Sequence, residues 1–195
     1  YQMDRSGGHG LGANGITSIL RLSTGELLIG TYGGGLSIYK DESGDFVNLV
    51  NDPNDSTTIS NNRVLAIYED SLGFVWIGTE MGLNRYYQET KTFQRYFSES
   101  RESNSFSSDI PWCFYEDTSG TLWIGTSGGG LNLWSIEDRR NAQANIQQFL
   151  YDESALPSSN IYGIQGDAKG WIWVSHSKGL SRINPRTFES HHYGV

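Results

Sequence analysis

Histidine, cysteine, serine and carboxylate side chains supply the nucleophiles, bases and metal ligands of enzymes, and in this chain they form no catalytic pattern. The 195 residues include four histidines and a single cysteine, Cys113. A zinc centre needs clustered His, Cys or carboxylate ligands, and a hydrolytic triad needs a nucleophile beside a base. Because the spacing of these residues suggests neither arrangement, we expect no catalytic residue, no metal and no cofactor.

Aspartates and glycines do recur at fixed distances. Asp70, Asp117 and Asp167 each stand three residues before a glycine. Calcium requires about six to eight oxygen ligands gathered in one loop, whereas each of these loops offers a lone aspartate. An aspartate before glycine is typical of a tight turn, because its carboxylate accepts hydrogen bonds from nearby backbone amides. The sequence therefore predicts turns at these positions.

The turns belong to a motif that occurs four times. Its most regular copies read Val-Trp-Ile-Gly-Thr at 75–79 and Leu-Trp-Ile-Gly-Thr at 122–126. Successive copies are 48, 47 and 50 residues apart, measured between the turn glycines Gly25, Gly73, Gly120 and Gly170. A period of this length is typical of repeat architectures such as the β-propeller.

Each copy divides into four short strands. In the second copy, apolar runs at 64–69, 75–79, 83–86 and 93–97 are separated by turn residues, and no part of the chain shows a sustained helical period. Four antiparallel strands per repeat describe a propeller blade. We therefore expect an all-β fold with a linker at 1–13 after a missing blade, followed by blades at 14–50, 51–97, 98–150 and 151–195.

The repeated tryptophans and glycines have a structural explanation. The sheets of a propeller pack face to face, so large side chains fill the gap between blades and glycines leave room for them. We expect this structural role for Trp76, Trp123, Trp173, Gly30, Gly78 and Gly125.

Three other residues are candidates for ligand binding. Tyr32 and Trp112 are aromatic residues near predicted strand ends, where propeller loops usually carry function. His176 replaces the threonine that ends the same strand in the other three copies. An aromatic ring beside hydrogen-bonding groups is the chemistry that binds a sugar, so we predict ligand contacts at these positions.

The motif at 70–79, Asp-Ser-Leu-Gly-Phe-Val-Trp-Ile-Gly-Thr, resembles the two-component regulator propeller family, as does Gly-Leu-Asn-Arg-Tyr at 82–86. The segment at 122–131 is equally similar to the family pattern, and the resemblance extends over practically the whole chain. It implies a β-propeller fragment of four blades that forms an open arc of a larger, seven-bladed propeller. A closed ring of four blades is the alternative.

The resemblance also implies a role in sensing. In that family the repeats form the periplasmic sensor region of hybrid two-component systems, sensor histidine kinase/response regulators of glycan-degrading Bacteroidetes. The chain would then be an extracytoplasmic ligand-sensing fragment, in the periplasmic part of an inner-membrane protein, that responds to polysaccharide breakdown products. It would not itself be an enzyme, because the kinase domains lie outside it. The alternatives are a propeller-based carbohydrate-active enzyme (lyase or sialidase-like) and a protein-interaction platform.

Charge and the predicted end faces limit the choice of partner. The chain has 14 Lys and Arg against 22 Asp and Glu, a net charge of −8, which disfavours nucleic acid. It contains no apolar run long enough to insert directly into a membrane. We expect an oligosaccharide ligand, self-association through the apolar faces that the end blades expose, and a homodimer in the parent protein.

Overall fold

The structure is a computed structural model, and it describes residues 9–98, 105–108, 110–149 and 156–194. Its strands form four four-stranded antiparallel sheets, each built from strands that are consecutive in the sequence. The expectation of an all-β fold with four strands per repeat is therefore confirmed. The chain divides into two compact units, Tyr1–Tyr96 and Phe97–Val195.

The first unit contains sheets 1 and 2. In both sheets the spatial order of the strands follows the sequence, so each strand pairs with the next through a short connection. Sheet 1 comprises β1 (Ile16–Arg21), β2 (Leu27–Thr31), β3 (Leu36–Lys40) and β4 (Asp45–Leu49). Sheet 2 comprises β5 (Val64–Glu69), β6 (Val75–Thr79), β7 (Gly82–Tyr87) and β8 (Thr92–Tyr96).

The core of the first unit lies between these two sheets. Leu28 and Ile38 of sheet 1 belong to the same buried cluster as Val64 and Ile77 of sheet 2. Every residue of β6 is buried, as expected of a strand that is covered on both faces. Burial of these aliphatic side chains is what holds sheet 1 against sheet 2.

The second unit contains sheets 3 and 4 and repeats this arrangement. Sheet 3 comprises β9 (Pro111–Glu116), β10 (Leu122–Thr126), β11 (Leu131–Trp134) and β12 (Ile146–Phe149). Sheet 4 comprises β13 (Ile161–Gly166), β14 (Ile172–His176), β15 (Gly179–Ile183) and β16 (Ser190–Tyr193). Its core cluster includes Trp123 of sheet 3 together with Ile161 and Val174 of sheet 4.

A short helix interrupts sheet 3, and the sequence did not predict it. Helix α1 (Ile136–Arg140) lies between β11 and β12. Ser135 caps its start by accepting a hydrogen bond from the amide of Asp138. Five residues are too few to show a helical period, so the cap and the acidic first turn were the signals available in the sequence.

The helix is held in place by a buried ion pair. The guanidinium of Arg139 bonds to the Glu116 carboxylate at the end of β9, and also donates to the carbonyl oxygens of Gly120 and Trp134. Arg139 is 1% exposed. Since all these partners lie in sheet 3 or its turns, Arg139 anchors the inserted helix to its own sheet.

Candidate functional site

The repeated aspartates bind both a turn and a tryptophan. In the third repeat, one carboxylate oxygen of Asp117 accepts the amides of Ser119 and Thr121 at 2.9 and 3.0 Å. The other accepts the indole N–H of Trp123 at 2.8 Å. Because of these contacts, we assign Asp117 a structural role. The sequence predicted the turn but not the hydrogen bond to the tryptophan.

The same bond occurs in two further repeats. Asp70 accepts the indole N–H of Trp76 at 2.8 Å, and Asp167 accepts that of Trp173 at 2.9 Å. Trp76 and Trp123 are 1% and 0% exposed, whereas Trp173 is half-buried and its ring stacks on Tyr193 at 5.5 Å. The signal in the sequence was the constant spacing of six residues between aspartate and tryptophan.

The repeat glycines lie where the next sheet approaches. A Cβ atom added to Gly125 would lie 2.5 Å from the side chain of Ile161 in sheet 4, and one added to Gly30 would lie 2.7 Å from Val64 in sheet 2. Both distances are shorter than carbon atoms tolerate. Ser175 occupies the corresponding position of sheet 4, where it pairs with Gly163 as Gly125 pairs with Cys113.

Tyr32, the first of the ligand-binding candidates, belongs to a polar cluster in the first unit. Its hydroxyl donates to one oxygen of Glu80 at 2.9 Å, and Arg63 donates to the other at 2.7 Å. The Arg63 guanidinium lies 4.9 Å from the centre of the Tyr32 ring. The bond from Arg63 lowers the pKa of Glu80, and the bond to Glu80 raises that of Tyr32. The cluster links the ends of two neighbouring sheets.

Trp112, the second candidate, pairs with an aromatic residue that sequence reasoning missed. Its ring stacks on that of Tyr162, with ring centres 5.5 Å apart and an angle of 29° between the planes. Trp112 is 36% exposed and Tyr162 is 51% exposed. The two residues are the second residues of β9 and β13, so the shared repeat position was the signal in the sequence.

His176, the third candidate, is 5% exposed and lies within sheet 4. Its Nδ1 accepts the amide of Lys178 at 3.2 Å, and its Nε2 bonds to the Ser181 hydroxyl at 2.7 Å. That hydroxyl also bonds to Nδ1 of His192. Burial lowers the pKa of His176, and the charges of His192 and Lys178 act in the same direction. The structure thus places His176 in the interior of the sheet, not on an accessible surface.

Two positions near His176 in the repeat pattern also carry residues that differ from those of repeats 2 and 3. In repeats 2 and 3 the third strand carries Asn84 and Asn132, whose side chains accept the amides of Ser60 and Ser107 in the preceding linker. In repeat 4 the linker position is Pro157, which has no amide hydrogen. The asparagine is replaced by Ser181, which His176 bonds instead. In the fourth copy, proline, histidine and serine thus replace the linker serine, the threonine and the asparagine of repeats 2 and 3.

The second unit also contains a cleft of about 630 Å³ that none of the three candidates lines. Its walls include Trp123 and Phe188 on the apolar side and Asp138, Asn145 and Gln147 on the polar side. Among the described residues, no group of three or more His, Cys, Asp or Glu is placed to hold a metal ion. Burial raises the pKa of the Cys113 thiol to about 12, which makes it a poor nucleophile.

Four consecutive four-stranded sheets, with aspartate, tryptophan and glycine repeated at equivalent positions, define this chain as a β-propeller repeat protein. The model of the family named two component regulator propeller matches residues 58–81 and 105–128. The chain is therefore similar to this family over these two segments, which overlap the motifs that indicated the resemblance.

Proteins with these features are known from bacterial signalling. The chain is 38% identical over 55 residues to histidine kinase P4 of Formosa agariphila, a match that covers 28% of the chain and 4% of the kinase. It superimposes on the extracellular domain of BT3049 from B. thetaiotaomicron, assigned as a hybrid two component system, with a TM-score of 0.80 at 23% identity. The extracellular domain of BT4673 from the same organism gives a TM-score of 0.79 at 26% identity.

These structural matches each cover 98% of the chain, while the chain spans 25% and 26% of the two extracellular domains. The fold of the chain thus corresponds to part of each of these extracellular domains. In the described residues, no helix is both long and apolar enough to cross a membrane.

Proposed function

We propose that this chain is part of the ligand-sensing region of a hybrid two-component sensor, and that it responds to a breakdown product of a polysaccharide. The observation that carries the proposal is the likeness of nearly the whole chain to the extracellular domain of BT3049. The two matched propeller repeats support it independently. The parent protein is then a histidine kinase whose phosphoryl-transfer domains lie outside these residues, and the chain is the periplasmic part of an inner-membrane protein.

The proposed mechanism is a shift between arrangements of the sensor. The chain belongs to a larger propeller, and a bound oligosaccharide favours one arrangement of the membrane-proximal domains over another. A ligand can shift such an equilibrium only by the difference between its affinities for the two states. A homodimer in the parent protein would pass that shift to a pair of kinase domains.

Ligand binding is tested by thermal unfolding of the 195-residue chain with defined oligosaccharides. A ligand that binds the native state raises the melting temperature in proportion to the logarithm of its concentration over Kd. The panel contains neutral tetrasaccharides (cellotetraose, laminaritetraose) and an anionic one (alginate tetrasaccharide). A rise with at least one of them is the expected result, and no rise with any would contradict the assigned ligand class.

The same mixtures separate a sensor from an enzyme. Chromatography of the oligosaccharides after overnight incubation should show unchanged chain lengths. New unsaturated or shortened products would instead favour the carbohydrate-active alternative.

A further inference from the structure

The first strand of every sheet contains an extra residue at the same place. In β9, Pro111 pairs with Thr126 and Cys113 pairs with Gly125, so Trp112 has no partner in the ladder. Tyr162 is the corresponding extra residue of β13. A bulge of this kind turns the side chain of the inserted residue away from the regular alternation of the strand, and it often lies beside a functional site.

The residues at this position differ between the two units. Sheets 1 and 2 carry Thr17 and Leu65 at the bulge, and only sheets 3 and 4 carry aromatic residues. Trp112 and Tyr162 contact each other across the two sheets and remain 36% and 51% exposed. Because neither residue belongs to the core cluster of this unit, packing of the core does not explain them.

The rings lie on strands at the edges of their sheets. The strands β9 and β13 each pair with a single neighbour, since each stands at the edge of its sheet. One side of an edge strand presents peptide N–H and C=O groups that the ladder does not use. An apolar ring face next to the backbone of a sheet edge suits a sugar, whose ring has C–H faces and whose rim carries hydroxyl groups.

Charge indicates which sugars fit. The chain carries a net charge of −8, so anionic glycans are repelled at long range. In the described residues, several arginines that could pair with a uronate or sulfate have other roles: Arg63 pairs with Glu80, Arg139 with Glu116, and Arg182 lies 4.3 Å above the ring of Trp171. A neutral oligosaccharide avoids both difficulties.

We propose that the stacked side chains of Trp112 and Tyr162 form a platform that binds a sugar ring of a neutral oligosaccharide. This site rests on the proposed sensing function and specifies where the ligand binds. Aromatic stacking holds the C–H face of the sugar, and the edges of β9 and β13 receive its hydroxyl groups.

The test measures binding of cellotetraose, laminaritetraose and alginate tetrasaccharide to the 195-residue chain by calorimetry and tryptophan fluorescence. The variants Trp112→Leu and Tyr162→Thr introduce the residue types that Leu65 and Thr17 hold at the same bulge, so they preserve the local backbone. Tyr87→Leu, which removes an aromatic residue that is 37% exposed in the first unit, is the matched control.

We expect a neutral tetrasaccharide to bind, and each platform variant to weaken that binding at least about tenfold. The variants should remain folded without ligand, and Tyr87→Leu should bind as the wild type does. Neutral binding that Trp112→Leu and Tyr162→Thr leave intact would overturn the platform but keep the sensing function. Binding of the alginate tetrasaccharide alone would do the same. Binding of no tetrasaccharide would overturn both.

Discussion

Trp123 donates its indole N–H to the carboxylate of Asp117, six residues earlier in the chain, over 2.8 Å. The carboxylate of Asp117 therefore has two structural roles, in the turn and in positioning the tryptophan, which the sequence pattern does not connect. Its first oxygen closes the turn between β9 and β10, and its second fixes the ring that packs against sheet 4. The orientation of the inter-sheet side chain thus depends on the turn that precedes its strand.

Removing this carboxylate should destabilise the chain. Asp117→Ala leaves the buried indole N–H and two turn amides without their acceptor, so we expect a loss of about 2–3 kcal/mol in the free energy of unfolding. Asp167→Ala should cost less, because Trp173 is only half-buried and the loss of a hydrogen bond costs less where burial is incomplete. Urea denaturation of both variants measures the difference, and equal losses would contradict this account.

A side chain at Gly125 should separate two sheets. Because a Cβ there would lie 2.5 Å from both Ile161 and the sulfur of Cys113, Gly125→Val forces sheets 3 and 4 apart. Overpacking of this kind costs about 1–3 kcal/mol. Ser175→Ala, at the corresponding position of sheet 4, is the control and should be close to neutral in the same thermal unfolding experiment.

Stability should depend on pH through His176. Its pKa in the folded chain lies below the ordinary value of 6.5, so the unfolded chain binds the proton more readily. The stabilisation from the neutral histidine is complete above about pH 6.5, the pKa in the unfolded chain. It is lost as the pH falls from 6.5 towards the lower pKa of the folded chain. His176→Thr, which introduces the residue of the other repeats, should flatten the pH dependence of the unfolding free energy. An identical profile for wild type and variant would show that His176 does not titrate on unfolding.

Removing only one partner of the ion pair between Arg139 and Glu116 should lower the free energy of unfolding. Arg139→Met leaves the Glu116 carboxylate, whose side chain is 8% exposed, without its guanidinium, and we expect a loss of about 3–5 kcal/mol. Adding Glu116→Gln should recover part of it, since the buried negative charge is then gone. A double variant no more stable than Arg139→Met, by urea denaturation, would argue against this electrostatic explanation.

Self-association through the end sheets is tested at Ile19. This residue of β1 is 66% exposed, so it is a suitable position at which to disrupt an apolar contact. We expect sedimentation of the wild type to show concentration-dependent association and Ile19→Lys to weaken it. Glu42→Gln, in the exposed connection before β4, makes the same change of one charge unit and is the control. A wild type that stays monomeric at high concentration would refute the proposal.

Regular repeats made the strands predictable. The expected strands at 64–69 and 75–79 coincide with β5 and β6, because alternating or continuous apolar residues end at turn glycines there. The last strand, β16, begins only at Ser190, since Phe188 just before it has a φ of +59° that interrupts an extended chain. A local backbone conformation of that kind leaves no mark in hydrophobic periodicity.

The contacts of the site were harder to infer. Trp112 and Tyr162 are fifty residues apart, and their stacking follows from two sheets holding equivalent bulges side by side. The aromatic character of Trp112 was visible in the sequence, but its partner required the register of both sheets. His176 was conspicuous in the sequence because it replaces a threonine of the other copies, but in the structure it fills an ordinary buried position.

The shared change at Pro157, His176 and Ser181 also bears on how such a chain can be engineered. Although they come from two different strands, His176 and Ser181 bond to each other, whereas Asn84 and Asn132 at the Ser181 position of two other copies accept a linker amide that Pro157 lacks. A chimaera that transplants a single segment of the fourth copy into another copy would inherit an unmatched donor or acceptor. Viable grafts should carry the whole set, which makes the complete repeat the natural module for recombination.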